Sequence, residues 1–264
     1  MKKGFYSEHS VDKSAVNEDY FLHTHTGHEI FMFVSGNCQF NIEGNLYPLK
    51  PYDIVIASAD ELHRIVHLSP ERYERYIIFL DSDFFVKNNC TQFANIFQKH
   101  NLGKNNYIDA ETAFSSGLVD TIKKIQTYDA EGETTVAKSI IIELLYLLKK
   151  TAPSIPKESY NAKFIQDIVS YINEHLTENL TLNTLSDKFN ISVSGIGNMF
   201  KKYMRMTIKS YITYKRLIYA QQLYKSGRTL LEASIEAGFH NYSNFYRMYV
   251  KEFNHSPKTD MKSR

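Results

Sequence analysis

Residues 181–204 read TLNTLSDKFNISVSGIGNMFKKYM, and residues 229–253 read TLLEASIEAGFHNYSNFYRMYVKEF. One pattern underlies both. Thr181 and Thr229 are of the type that caps a helix N-terminus. Leu182, Leu185 and Phe189 recur at helical spacing after the first cap, Leu230 and Ala233 after the second. Asn190 and Gly238 then fall where the chain must turn, and these residue types best tolerate a left-handed backbone. Ile191 and Phe239 plug the corners. A second helix follows in each copy, opened in the first by Ser192 or Ser194. Its inward positions are Ile196, Met199, Phe200 and Tyr203 in one copy, and Phe245, Met248, Tyr249 and Phe253 in the other. The first halves align at an offset of 48 residues and the second halves at 49, which puts a one-residue insertion near Asn241. The repeat predicts two helix–turn–helix units, about 181–204 and 229–253. Between them, Ile208, Tyr211, Ile212, Leu217, Ala220 and Leu223 mark one connecting helix that ends at Gly227.

In this architecture the second helix enters the DNA major groove and its outward N-terminal side chains meet base edges. Two units fixed by one rod reach successive grooves about 34 Å apart on one face of the duplex. The outward positions are Ser194, Gly195, Gly197 and Asn198 in the first copy, and Tyr242, Ser243, Asn244, Tyr246 and Arg247 in the second. Lys201, Lys202, Lys251 and Arg216 are placed for phosphates, which position a protein without specifying sequence. Arg247 suits a bidentate contact to guanine, and Asn198, in the matching slot, suits adenine. Gly195 and Gly197 offer no side chain and each costs the helix ~1 kcal/mol relative to Ala. The second unit is therefore expected to carry more of the sequence information.

The charge distribution agrees. The 264 residues carry a net charge of only +2, yet residues 157–264 hold 16 Lys and Arg against nine Asp and Glu. Residues 1–156 hold 15 against 20. A basic C-terminal part suits a polyanion. Apolar residues at 43% and charged residues at 23% exclude disorder and collagen-like structure. The most apolar run, SIIIELLYLL (139–148), is too short for a bilayer, which needs ~20 residues, and it contains Glu143. MKKGFYSEHS has no apolar stretch behind its lysines, so no secretory signal is expected. Two cysteines, Cys38 and Cys90, without CxxC spacing exclude a disulfide scaffold or zinc knuckle and fit a reducing, cytoplasmic setting.

Upstream, the period is that of strands. FMFVS (31–35) precedes the turn Gly36-Asn37, and CQFNI (38–42) alternates like a half-buried strand. Glu43-Gly44-Asn45 makes a further turn before LYPLK. IVIAS (54–58) has the composition of a strand buried on both faces, and YERYIIFL (73–80) is another strand. Short strands with tight turns predict an antiparallel sandwich or barrel. After about residue 110 the period becomes helical. In VAKSIIIELLYLLKK (136–150), Val136, Ile140, Leu144 and Leu147 form one stripe and Ile141, Leu145 and Leu148 a second. Such a helix needs two partners. The sheet is one, and the other is either a second copy of the chain or more of the same subunit. TAPSIP (151–156) stops the helix and holds the chain extended. The expected organisation is 1–155 (with helices from about 112), a linker at 156–162, and 163–264.

Residues 163–264 resemble the DNA-binding domain of the AraC/XylS family of bacterial transcription regulators. The matching residues are LTLNTLSDKFNIS, the FKK at 200–202, YKRLIYAQQLY (214–224), EAGFHNYSNFYRMYVKEF and Asn254-His255-Ser256-Pro257. Asn198 departs from the arginine usual in that family. The upstream part resembles the cupin barrel that heads many such regulators. Its matching residues are His23, His25 and Glu29 in H-x-H-x3-E spacing, Gly36 seven residues on, and His63 ten residues after Asp53. Tyr52 stands where that family's turn has glycine. This resemblance implies an α+β multidomain protein: an N-terminal cupin-like antiparallel β-barrel followed by helices, then an all-α domain with two helix–turn–helix units.

The function implied is a non-enzymatic, ligand-responsive transcription regulator. Its partners are double-stranded promoter DNA, a small-molecule effector such as a sugar or related metabolite, a second copy of the chain, and RNA polymerase. No membrane is involved. His23, His25, Glu29 and His63 are the candidate effector ligands. They also match the cupin metal set, which suits Zn, Ni, Mn or Fe. Regulatory cupins use such histidines without metal too, so no cofactor is required and both readings stand. The rival class is a metal-dependent cupin enzyme joined to a DNA-binding domain. His28 is expected in an exposed loop and His67 at the surface, with Phe31, Phe33, Phe40, Tyr47 and Phe79 mostly core and one or two of these rings free to stack on a sugar.

Overall fold

A computed structural model describes residues 3–16, 23–25, 27–59, 61–98, 103–153, 160–204 and 206–261. The chain forms two compact units, residues 1–159 and 160–264. Most of the segment expected as a linker, 156–159 of 156–162, lies outside the described residues; helical backbone begins at Tyr160.

Among the described residues the first unit holds eight strands in two sheets. They are β1 (Phe5–Asp12), β2 (His28–Ser35), β3 (Cys38–Ile42), β4 (Asn45–Pro48), β5 (Ile54–Ala57), β6 (His63–His67), β7 (Tyr73–Leu80) and β8 (Tyr107–Ile108). One sheet has the order β1-β7-β2-β5-β8 and the other β4-β3-β6, with every pairing antiparallel. Side chains alternate across a strand, so the large sheet presents two apolar faces. Ile30, Met32, Ile54, Ile56, Ile78 and Leu80 share a core with residues of the helices that follow. Phe31, Phe33, Val55 and Ala57 pack on the other side with Phe40, Ile42, Tyr47 and Ile65. This alternation puts Glu29 on the inner face with Phe31. The turn after β3 uses Glu43 and Gly44, both at positive φ (46° and 81°), the conformation a two-residue hairpin favours.

The helices of this unit are α1 (Phe84–Lys87), α2 (Asn95–Gln98), α3 (Ala110–Ser115), α4 (Leu118–Ala130) and α5 (Thr134–Lys150). On α5 the stripe Ile141, Leu145 and Leu148, with Leu144, is buried inside the unit. Val136 and Tyr146 stay exposed, and Ile140 and Leu147 half-buried.

Several expectations need correction. β1, β6 and β8 lie outside the strands read from the sequence. HRIVH is only five residues long and histidines end it on both sides, so its polar termini hide a strand that is buried throughout. His28 is not in a loop. It opens β2, is 7% exposed, stacks on Phe97 at 4.3 Å and accepts from the Ala59 N–H. His67 is not at the surface but packs edge-on against Tyr73. Asn41 on β3 is buried as well and accepts from the Gly44 N–H, so that strand is not half-exposed.

The second unit is helical: α6 (Tyr160–Glu174), α7 (Leu182–Phe189), α8 (Val193–Met204), α9 (Ile208–Lys225), α10 (Leu230–Glu236) and α11 (Tyr242–Phe253). The caps fall where the repeat placed them. Thr181 accepts from the Thr184 N–H, and Thr229 forms a reciprocal capping box with Glu232. Asn190 and Gly238 take the left-handed corners at φ 52° and 89°. Ser192 accepts from the Gly195 N–H, and Asn241 from the Asn244 N–H. The inserted residue therefore lies between corner and cap, at His240. Leu182 departs from the pattern: it is 39% exposed, because only Leu185 of the short α7 reaches the core fully.

Candidate functional site

The outward residues of α8 and α11 follow from their buried stripes. Ile196, Phe200 and Met204 are buried on α8, and Phe245 and Tyr249 on α11. At 3.6 residues per turn this leaves Ser194, Asn198, Lys201 and Lys202 exposed on α8. On α11 it exposes Ser243, Tyr246, Arg247 and Lys251. Gly195, Gly197, Tyr242 and Asn244 are half-buried. Asn244 also supports its neighbour on the same helix, since its Oδ1 accepts from Arg247 Nη2 at 3.1 Å, which steadies the guanidinium. The N-terminal parts of both helices border one cleft of about 680 Å³, Val193 on α8 and Asn244 and Arg247 on α11.

Arg216 is the exception among the proposed phosphate contacts. Its Nε donates to the Leu176 carbonyl at 2.8 Å and its Nη2 to the Glu178 carbonyl at 2.6 Å. Burial lowers its pKa. The side chain lies against the second unit's corner, where a Cβ on Gly238 would meet Arg216 Nε at 3.0 Å. Arg216 ties α9 to the approach to α7 and to the turn after α10. No sequence pattern reveals this, since its acceptors are backbone carbonyls 38 and 40 residues away.

The histidine group is assembled from both sheets of the first unit. Glu29 comes from β2 and His63 from β6, while His23 bridges His63 through two backbone hydrogen bonds of 3.0 Å. One ligand atom from each of His23, His25, Glu29 and His63 lies within 4.8 Å of the others. Exposure grades from buried His63 and Glu29 through half-buried His25 to exposed His23, so the group opens to solvent on one side. His25 Nδ1 is 2.9 Å from the Gly27 carbonyl and His63 Nδ1 is 2.8 Å from the Glu61 carbonyl. A carbonyl only accepts, so each Nδ1 carries the hydrogen. Both Nε2 atoms then face Glu29 Oε2, at 3.2 Å and 3.7 Å. The buried His63 Nε2 has no hydrogen-bond partner.

Burial alone pushes Glu29 up, but the adjacent His25 and His63 overcome this and hold its carboxyl well below the usual range. Burial pulls His63 down, yet Glu29 and then Glu61 leave it raised overall. Three imidazoles around one carboxylate favour a cation between them, either a proton or a metal ion. Two of the aromatics read from the sequence flank the group: Phe40 stacks on His63 and Phe79 meets His25 edge-on at 4.7 Å.

Comparison with known proteins gives two family matches. Residues 11–89 match the AraC-like ligand binding domain and residues 185–263 a helix-turn-helix domain. Among curated proteins, the transcriptional activator RhaS of Salmonella schwarzengrund is 25% identical over 120 residues, 45% of this chain. The chain spans 43% of the length of that relative. A Listeria innocua protein of unknown function is 30% identical over 37% of this chain and 94% of its own, with a TM-score of 0.35. ToxT of Vibrio cholerae aligns over 98% of both chains at 13% identity, with a TM-score of 0.40.

Proposed function

Because the chain belongs to the AraC family of transcription regulators, we propose that it reads promoter DNA under the control of a small molecule held by its N-terminal domain. The observation that carries this is the repeated unit in the basic C-terminal part: two cap–corner–cap helix pairs whose second helices turn polar side chains outward beside one cleft. In this reading Ser194, Gly195, Gly197, Asn198, Tyr242, Ser243, Asn244, Tyr246 and Arg247 meet base edges, while Lys201, Lys202 and Lys251 meet phosphates. Arg216 holds the frame instead. The test is selection of duplexes from a random library by the full chain at physiological salt. Enrichment of a shared sequence supports the proposal; binding indifferent to sequence refutes it.

The effector seat is the opening beside His23, His25, Glu29 and His63, with half-buried Phe79 as an apolar wall against a sugar or related metabolite and Phe40 backing His63 from the core. The proposal includes cytoplasmic DNA binding without catalysis, as the two family matches suggest; no described helix is long and apolar enough to cross a membrane. Self-association through α5 is supported by exposed Val136 and Tyr146 beside half-buried Ile140 and Leu147. RNA polymerase contact is supported by Leu231 and Ile235, 54% and 57% exposed on one face of α10.

A second reading rests on the buried His63 Nε2, which makes no hydrogen bond and lies 3.7 Å from Glu29 Oε2. A divalent ion fits the same group, with both Nδ1 atoms already tied to carbonyls, as in metal-binding histidines. His23, His25, Glu29 and His63 would hold it, and it would supply a Lewis-acidic point for an oxygen-rich effector. Metal analysis of the purified chain beside His23→Ala decides. Stoichiometric metal lost in the variant supports occupancy, and none in either removes both this reading and the metalloenzyme alternative.

A further inference from the structure

We propose that the cleft between the two helix–turn–helix units seats the sugar–phosphate backbone of the duplex, with Lys209 as its principal phosphate ligand. The inference rests on the DNA-binding reading and adds a contact surface to it. The cleft lies within the second unit, bordered by the first turns of α7, α8 and α9 and by Asn244 and Arg247 of α11. None of the described residues lining it is acidic, whereas Lys209, Arg216, Arg247 and His240 all line it. Arg216 is already committed to the carbonyls of Leu176 and Glu178, which leaves Lys209 as the exposed lysine of the cleft.

Three further features fit a nucleic-acid strand. The first turns of α7, α8 and α9 all border the cleft, and helix N-termini carry partial positive charge. The cleft is not purely cationic, because Leu182 and Val193, each 39% exposed, offer apolar surface. Deoxyribose carbons between phosphates present that mixture of apolar and anionic surface at short repeat. The position is also the required one. When two recognition helices occupy successive major grooves, the backbone separating those grooves passes between them.

The experiment uses a duplex selected by the full chain, with salt-dependent affinities for wild type, Lys209→Ala and Lys209→Arg. Uncharged methylphosphonates then replace the phosphates lying between the two contacted segments. Lys209→Ala is expected to weaken selected and random duplexes by a similar factor, with the salt slope flatter by about one unit. Lys209→Arg should keep the wild-type slope. The methylphosphonates should weaken wild type but add nothing further to Lys209→Ala. An unchanged slope in Lys209→Ala, a loss confined to the selected sequence, or a fully additive methylphosphonate effect would each overturn the proposal. If wild type enriches no duplex, the DNA-binding reading fails first, an outcome distinct from a duplex bound normally without Lys209.

Discussion

Tyr52 shows how a single residue departs from what its backbone prefers. It sits at φ 73°, in the left-handed region, where an L side chain costs roughly 1–2 kcal/mol. The sequence flagged the position because the cupin family that this part resembles usually has glycine in that turn. It could not show what retains the tyrosine: the ring packs on Phe114 at 4.9 Å, with Lys123 Nζ 4.9 Å above it. Tyr52→Ala should therefore destabilise more than Tyr52→Gly, by about 1 kcal/mol in urea unfolding, since alanine loses the ring and keeps the strain. Equal stabilities would remove the strain argument. One residue further on, buried Asp53 accepts from the Lys50 and Ala110 N–H groups and from the Tyr107 hydroxyl. Burial, then the Asp53 hydrogen bond, raises the Tyr107 pKa above its ordinary value near 10. The folded state thus favours the protonated phenol. Its contribution is whole below about pH 10 and is lost as pH climbs toward the raised value. Tyr107→Phe should lower stability at pH 7 by about 1–2 kcal/mol and make the decline above pH 10 shallower. A parallel decline in both proteins would refute that linkage. None of this network is legible in the sequence, because a tyrosine 54 residues away completes it.

At the scale of elements, what could be read was what is local. Thr181, Asn190, Thr229 and Gly238 announced their caps and corners because each acts on backbone within a few residues. The hairpin at Glu43-Gly44 and the doubly buried β5 were legible for the same reason. β6 was not, since its burial comes from β3 beside it and from the bridge to His23. The histidine group was legible as a set of four residues, yet its tautomers, its grading of exposure and its aromatic walls required the pairing of strands. Arg216 belongs with the illegible part. Gly238→Ala should destabilise by more than the ~1–2 kcal/mol of left-handed strain, because its Cβ would also meet Arg216 and the Thr177 carbonyl at 3.0–3.1 Å. Asn190→Ala, at the matching corner of the first unit, should show only the backbone cost. A Gly238→Ala melting curve coincident with wild type would mean that Arg216 does not brace that corner. Arg216→Ala should retain the helical circular-dichroism signal yet lose affinity for the selected duplex, through loss of the brace and without the phosphate-type change in salt slope.

At the scale of the whole chain, the two family matches and the charge split give the two units different roles, with an AraC-like domain at 11–89 and a basic helix–turn–helix domain at 185–263. The inequality of the two helix–turn–helix copies sets the expected division of labour. Arg247, steadied by Asn244, should specify one base pair, so Arg247→Ala should relax preference there by about 1–3 kcal/mol. Selection with the variant should enrich the same site with that position randomised. An unchanged consensus would place Arg247 outside the groove. The most direct measurement of the central claim is a hydroxyl-radical footprint of the full chain on its selected duplex. Two helix–turn–helix units reading one duplex should give paired protections about 10 base pairs apart on the same face. A single protected segment per chain, or a pair on opposite faces, would contradict it.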